Sequence, residues 1–128
     1  MLYFRNSKTT NISGMSTRRA AALTKQIEKA KQALALIGDM RPGSLSTQYN
    51  VCGKAGCKCK ATPPQKHGPY YQVSYTRKGK SGSKFVKKKD LPEVRRQLKN
   101  YERMKLLTQR WIDLSIELST LRLNEEVG

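Results

Sequence analysis

The amino-acid sequence predicts an α+β protein: two long helices, a candidate antiparallel coiled-coil pair, carrying a Cys/His loop and a basic β-hairpin between them. Three observations predict it. Apolar residues recur at helical spacing towards both ends of the chain, polar and apolar residues alternate over residues 70–76, and all three cysteines with the only histidine fall between Cys52 and His67.

Residues 1–15 read as a flexible polar tail, with Ser, Thr and Asn and no periodicity. An N-terminal helix is expected over residues 16–38. Its apolar positions are Ala20, Leu23, Ile27, Ala30, Leu34 and Ile37, an alternation of threes and fours that lines one face. Ser16 or Thr17 is the candidate N-cap and Gly38 the candidate stop. Residues 39–89 form a basic module of Cys/His loop and hairpin, and a long C-terminal helix is expected over 90–124.

At the start of that second helix, Asp90 as N-cap with Glu93 three residues on reads as a variant capping box, and Pro92 suits the first turn. The apolar stripe then runs through Leu91, Val94, Leu98, Tyr101, Met104, Leu107, Trp111, Leu114, Leu118 and Leu121. Arg110 is spaced to pair with Asp113 or Glu117 on its own helix. The second stripe is longer than the first, so its surplus either packs on the central module or forms a homodimer through residues 90–124.

Within the module, Tyr71, Val73 and Tyr75 face one way and Tyr70, Gln72, Ser74 and Thr76 the other. Residues 77–83, with two glycines, supply the turn, and residues 84–89 return as the second strand. Tyr71, Val73, Tyr75 and Phe85 are expected as core against Leu91 and Val94, which leaves Tyr70 on the opposite face to meet a ligand.

Charge says most about partners. The chain carries 26 Lys and Arg against 9 Asp and Glu, a formal net charge of +17. Residues 1–40, 41–89 and 90–128 contribute +5, +12 and 0, and the middle segment holds twelve basic side chains and no carboxylate. A stretch that cannot neutralise itself points to a polyanionic partner, a nucleic acid, with DNA ahead of RNA. The candidate phosphate contacts are Arg41, Lys54, Lys58, Lys60, Lys66, Arg77, Lys78, Lys80, Lys84, Lys87, Lys88 and Lys89, with Tyr70 as a candidate base contact. A two-stranded ribbon also fits the major groove of a duplex.

Cys52, Cys57, Cys59 and His67 follow C-x4-C-x-C-x7-H, a Cys₃His donor set of the kind that holds structural Zn²⁺. Lys54, Lys58, Lys60 and Lys66 ring the loop and would stabilise thiolates. Three other readings stay open at this point: buried small thiols, a redox pair with a spare cysteine, or His67 as a turn residue with the fourth ligand borrowed or missing.

No stretch reaches the roughly 20 apolar residues of a membrane span, and the N-terminus has no signal-peptide core. An odd number of cysteines suits a reduced, cytoplasmic setting, nucleoid-associated if the partner is DNA. An enzyme is not expected, and neither is a small-molecule substrate. The single histidine is taken by the metal loop, Asp113 and Glu117 suit surface pairing, and Gly53-Lys54-Ala55-Gly56 lacks the strand–helix context of a phosphate loop.

The stretches Met40-Arg41-Pro42-Gly43-Ser44-Leu45-Ser46, Cys52-Gly53-Lys54 through Gly56-Cys57-Lys58-Cys59, His67-Gly68-Pro69-Tyr70-Tyr71 and Leu91-Pro92-Glu93-Val94-Arg95-Arg96 resemble a family of small uncharacterised prokaryotic proteins. That family is a domain of unknown function, often met near mobile elements, and the resemblance covers roughly residues 37–104. It implies a Cys-rich basic module with no established activity and carries over no catalytic residue; a nucleic-acid-binding protein of this kind is expected as an accessory to a mobile-element or regulatory system. Two other readings belong to different classes: a helical adaptor that dimerises through its second helix and binds an acidic protein, and a thiol redox protein.

Overall fold

A computed structural model describes the backbone of residues 10–127 and the side chains of residues 16–124. It is an α+β fold: helix α1 (Thr10–Ala35), strands β1 (Ser44–Asn50), β2 (His67–Arg77) and β3 (Lys80–Val86), and helix α2 (Leu91–Val127). Short 3-10 turns lie at Lys58–Lys60 and Lys88–Asp90. The described residues divide into two compact units, one of those up to Ile37 together with those from Arg103 onward, the other Gly38–Glu102. Among the described residues, no helix is long and apolar enough to cross a membrane.

In the helical unit, Leu23 and Ile27 of α1 bury themselves against Leu114 and Leu118 of α2, with Ala20 and Leu121 packed at the margin. Arg19 pairs with Glu117, and Arg110 Nη2 donates to Gln26 Oε1 at 3.2 Å. Rising positions on α1 meet falling positions on α2, so the helices run antiparallel where they meet. Arg110 and Glu117 therefore do not pair with each other, because the polar flank of α1 offers each a partner across the seam. Trp111 is not a core residue. It sits at the rim, 36% exposed, with Lys31 Nζ 5.2 Å from its ring centroid.

Helix α1 begins at Thr10, ahead of the expected start, so Ser16 and Thr17 lie inside it and cap nothing. Residues 10–15 of the expected tail are helical; residues 1–9 lie outside the described residues. Ser, Thr and Asn disfavour helix by only tenths of a kcal/mol each, and adding turns to an existing helix is far easier than nucleating one.

The second unit holds a three-stranded antiparallel sheet in the order β1-β2-β3. Cα partners include Leu45 with Val73 and Tyr71 with Val86, and directly opposed residues share a face. Val73 and Val86 on that face are buried with Leu91 and Val94, and Leu45, Tyr71 and Leu98 pack around them. The start of the α2 stripe thus covers the sheet. Arg41 N–H donates to Gln97 O at 3.2 Å and Asn100 Nδ2 to Asp39 O at 2.8 Å, which ties the segment before β1 to the same helix.

Four expectations for the hairpin are corrected. Strands β2 and β3 are joined by Lys78 and Gly79 alone, both with positive φ (53° and 77°), the two-residue turn whose twist matches the strands. Strand β3 therefore begins at Lys80, and Lys87, Lys88 and Lys89 follow it, outside any strand. The register set by this turn pairs Phe85 with Gln72, so Phe85 stands on the face away from the core, 65% exposed, and Val86 takes the core position. Tyr75, also expected inside, is 37% exposed and lies over Gly82.

The capping box is absent as well. Asp90 N–H already donates to Lys87 O at 2.8 Å, so nothing is left for Glu93 to cap. Glu93 pairs with Arg96 and accepts from Gln97 Nε2 at 3.0 Å, and these partners, Arg96 foremost, hold its carboxyl below the usual range.

Candidate functional site

The loop over residues 51–66 leaves the end of β1 and returns at the head of β2. Cys52 follows β1, Cys57 and Cys59 sit at the 3-10 turn, and His67 is the first residue of β2. Backbone bonds shape the turn: Cys57 N–H to Lys54 O at 3.4 Å, Lys60 N–H to Cys57 O at 2.9 Å, and Ala61 and Gln65 N–H both to Lys58 O.

His67 is aimed by a bulge. Gln48 pairs with Tyr70 but Asn50 pairs with His67, so β2 has one more residue than β1 over this interval. Gly68 is required there. Its φ is 137°, and a Cβ would lie 2.8 Å from Gln48 O and 2.9 Å from the Tyr49 ring.

The donor atoms of Cys52, Cys57, Cys59 and His67 all lie within 4.8 Å of one another. Cys52 Sγ and Cys59 Sγ are 3.6 Å apart, and Cys57 Sγ is 3.1 Å from His67 Nε2. Tetrahedral zinc with bonds of about 2.3 Å to sulfur and about 2.0 Å to nitrogen separates its ligand atoms by about 3.5–3.8 Å, close to this spread. Cys59 is buried and the other three donors are half-buried, and no cysteine is in a disulfide. The cluster can hold a metal ion.

The thiols are unequal. The Cys57 thiol is drawn down to about 6, first by the backbone N–H of Cys59 and then by the side chains of Cys59, Cys52 and His67. Burial pushes the Cys59 thiol up. An acceptor-rich pocket with one thiol readily ionised is chemistry that a cation completes.

The expected basic residues fall into separate groups. Lys54, Lys58, Lys60 and Lys66 are exposed on the Cys/His loop. Arg41, before β1, joins Arg77 and Lys80 at the two sides of the hairpin turn in lining one cavity of about 460 Å³, with Pro42 and Tyr75. Lys78 is exposed at the tip of that turn, and Lys84 and Lys89 are exposed on and beyond β3. Lys87 and Lys88 border a different groove, of about 640 Å³, with Asn50, Tyr70 and Phe85. The ion pairs Arg19–Glu117, Lys31–Glu28 and Arg96–Glu93 all lie outside residues 41–89.

Sequence reasoning missed Tyr75 and Phe85 as surface residues beside these cations. For Phe85 the signal was available in the Lys78-Gly79 pair, a tight-turn dipeptide that fixes the parity of β3.

No curated protein and no solved structure matches the chain. The family described as Domain of unknown function (DUF6788) matches residues 19–96, a span that takes in most of α1, all three strands and the four metal-site residues, and the chain belongs to that family.

Proposed function

We propose that the protein is a non-catalytic nucleic-acid-binding protein, preferring DNA to RNA, whose Cys52, Cys57, Cys59 and His67 hold one structural Zn²⁺. The observation that carries this reading is the concentration of twelve cations without a carboxylate over residues 41–89, with Arg41, Arg77 and Lys80 around one cavity. Such a surface gathers small anions in solution, and a polyanion that replaces them gains the entropy of their release.

Zinc suits the donor set. With three thiolates and a neutral imidazole the centre carries a net charge of −1, which Lys54, Lys58, Lys60 and Lys66 on the same loop offset. The sheet unit buries few apolar side chains, and a metal staple stabilises a unit of that kind. No catalytic residue and no small-molecule substrate belongs to this reading. It places the protein in the cytoplasm, on the nucleoid, as an accessory to a mobile-element or regulatory system.

The test is binding to unrelated duplexes across a salt series. Six to eight phosphate contacts give log K a slope of about −5 to −7 against log salt; absence of binding at low salt overturns the reading. Metal analysis of the purified protein should return about one zinc per chain, and a fully folded metal-free protein removes the zinc.

One observation favours a second reading, a dimerising adaptor for an acidic protein partner. Leu106, Trp111, Ile112, Ile116 and Leu123 of α2 are exposed. A mass in solution equal to two chains would support it.

A further inference from the structure

The face of the sheet away from the core is polar and open, with two aromatic exceptions at one corner. Tyr70 is 41% exposed and Phe85 65% exposed. Phe85 opposes Gln72, two residues along β2 from Tyr70, so the two aromatics are diagonal neighbours on one face, within reach of each other's rings. They line a groove of about 640 Å³ that Lys87 and Lys88 border.

Between them the floor is already tied down. Gln48 Nε2 donates to Gln72 Oε1 at 2.6 Å, and Gln72 Nε2 donates to Ser83 Oγ at 2.9 Å, a ladder that crosses all three strands. Two exposed aromatic rings in one groove offer flat apolar surface on which an unpaired base can stack. The cations at the groove favour an occupant that carries negative charge beside its apolar face.

We infer that this corner is a stacking site for an unpaired nucleotide of a DNA strand, the base lying on Phe85 beside Tyr70 and its flanking phosphates against Lys87 and Lys88. The inference rests on the nucleic-acid reading above and sharpens it, because a paired base inside a duplex cannot reach a ring on a flat sheet. The Gln72 amide is held in place by its bonds to Gln48 and Ser83, so the site reads the base chiefly by its π-face and shows little sequence preference.

The probe is a short fluorescein-labelled oligothymidylate, with a duplex of matching length beside it. Phe85→Ala should weaken strand binding about ten-fold or more while leaving the salt slope and the duplex affinity unchanged. Phe85→Trp should restore the strand. Lys87→Gln and Lys88→Gln should each lower the slope on the strand by about 0.7. An iodouracil-substituted strand should crosslink to Tyr70 or Phe85. Phe85 is exposed, so its replacement leaves the core intact, and crosslinking of the unaltered protein needs no variant.

Strand binding by Phe85→Ala equal to that of the parent, or crosslinks confined to other positions, overturns the stacking site and leaves the duplex-binding reading standing. Failure of the parent protein to bind either probe at low salt removes both.

Discussion

Replacing Arg41, Arg77 and Lys80 together by glutamine removes the three cations that line one cavity beside Tyr75. Each cation that neutralises a duplex phosphate contributes about 0.9 to the slope of log K against log salt, so the triple variant should lose about 2.7 from the slope. If counterion release is the whole effect, affinities of parent and variant converge near 1 M salt and separate below it, by about 80-fold at 0.2 M and about 500-fold at 0.1 M. The fold should survive, because Arg41 holds α2 through its backbone N–H to Gln97 O and not through its guanidinium. Fluorescence anisotropy with one duplex across the salt series reads both quantities. A second variant, Lys25→Gln with Lys29→Gln on exposed positions of α1, should leave the slope unchanged. A triple variant with an unaltered circular dichroism spectrum and the parental slope refutes the argument: the cavity would then not meet phosphate.

The other expectations concern the metal and the two cores. Cys59→Ser should abolish stoichiometric metal, read by elemental analysis after dialysis, whereas Lys60→Gln beside it should retain the full complement. Leu23→Ala, at a fully buried position, should cost about 3–5 kcal/mol in urea unfolding, and Leu36→Ala, at 85% exposure on the turn after α1, within about 0.5 kcal/mol. Val86→Ala should destabilise the protein more than Phe85→Ala although it deletes fewer atoms, since Val86 is buried and Phe85 is not. The reverse order would mean that β3 is paired one residue out of register.

What could be read from the sequence follows how each segment is stabilised. The stripe of α1 is periodic because one face is buried, and Leu23, Ile27 and Ala30 are buried where spacing places them. The start of α2 announces itself in the same way through Leu91 and Val94. Cys52, Cys57, Cys59 and His67 stand out by residue type alone, and the fold gathers them.

Strand β1 gave no comparable signal. Ser44–Asn50 is an edge strand, with Leu45 its one aliphatic side chain, half-buried, and its pairing to β2 is carried by backbone bonds that leave no pattern in residue type. The face of Phe85 depended on the length of a turn, and shifting a strand start from Lys84 to Lys80 redrew the reading of everything after it. Trp111 belongs to the stripe by number, yet a large ring at the edge of a narrow seam is left at the rim with Lys31 over it.

The seven residues from Lys60 to Lys66 bridge the last thiol donor and the imidazole donor, and all seven are exposed. An ion held by both donors would clamp the two ends of this arc, and its length would then hardly affect how firmly the clasp closes, since lengthening a loop adds closure entropy only logarithmically. Within the arc, residues 62–64, between the two N–H groups that bond Lys58 O, are therefore the place to graft a dye, an epitope or a short tether onto this protein. The single residue between Cys57 and Cys59 offers no such latitude, because an insertion there pulls two donors apart.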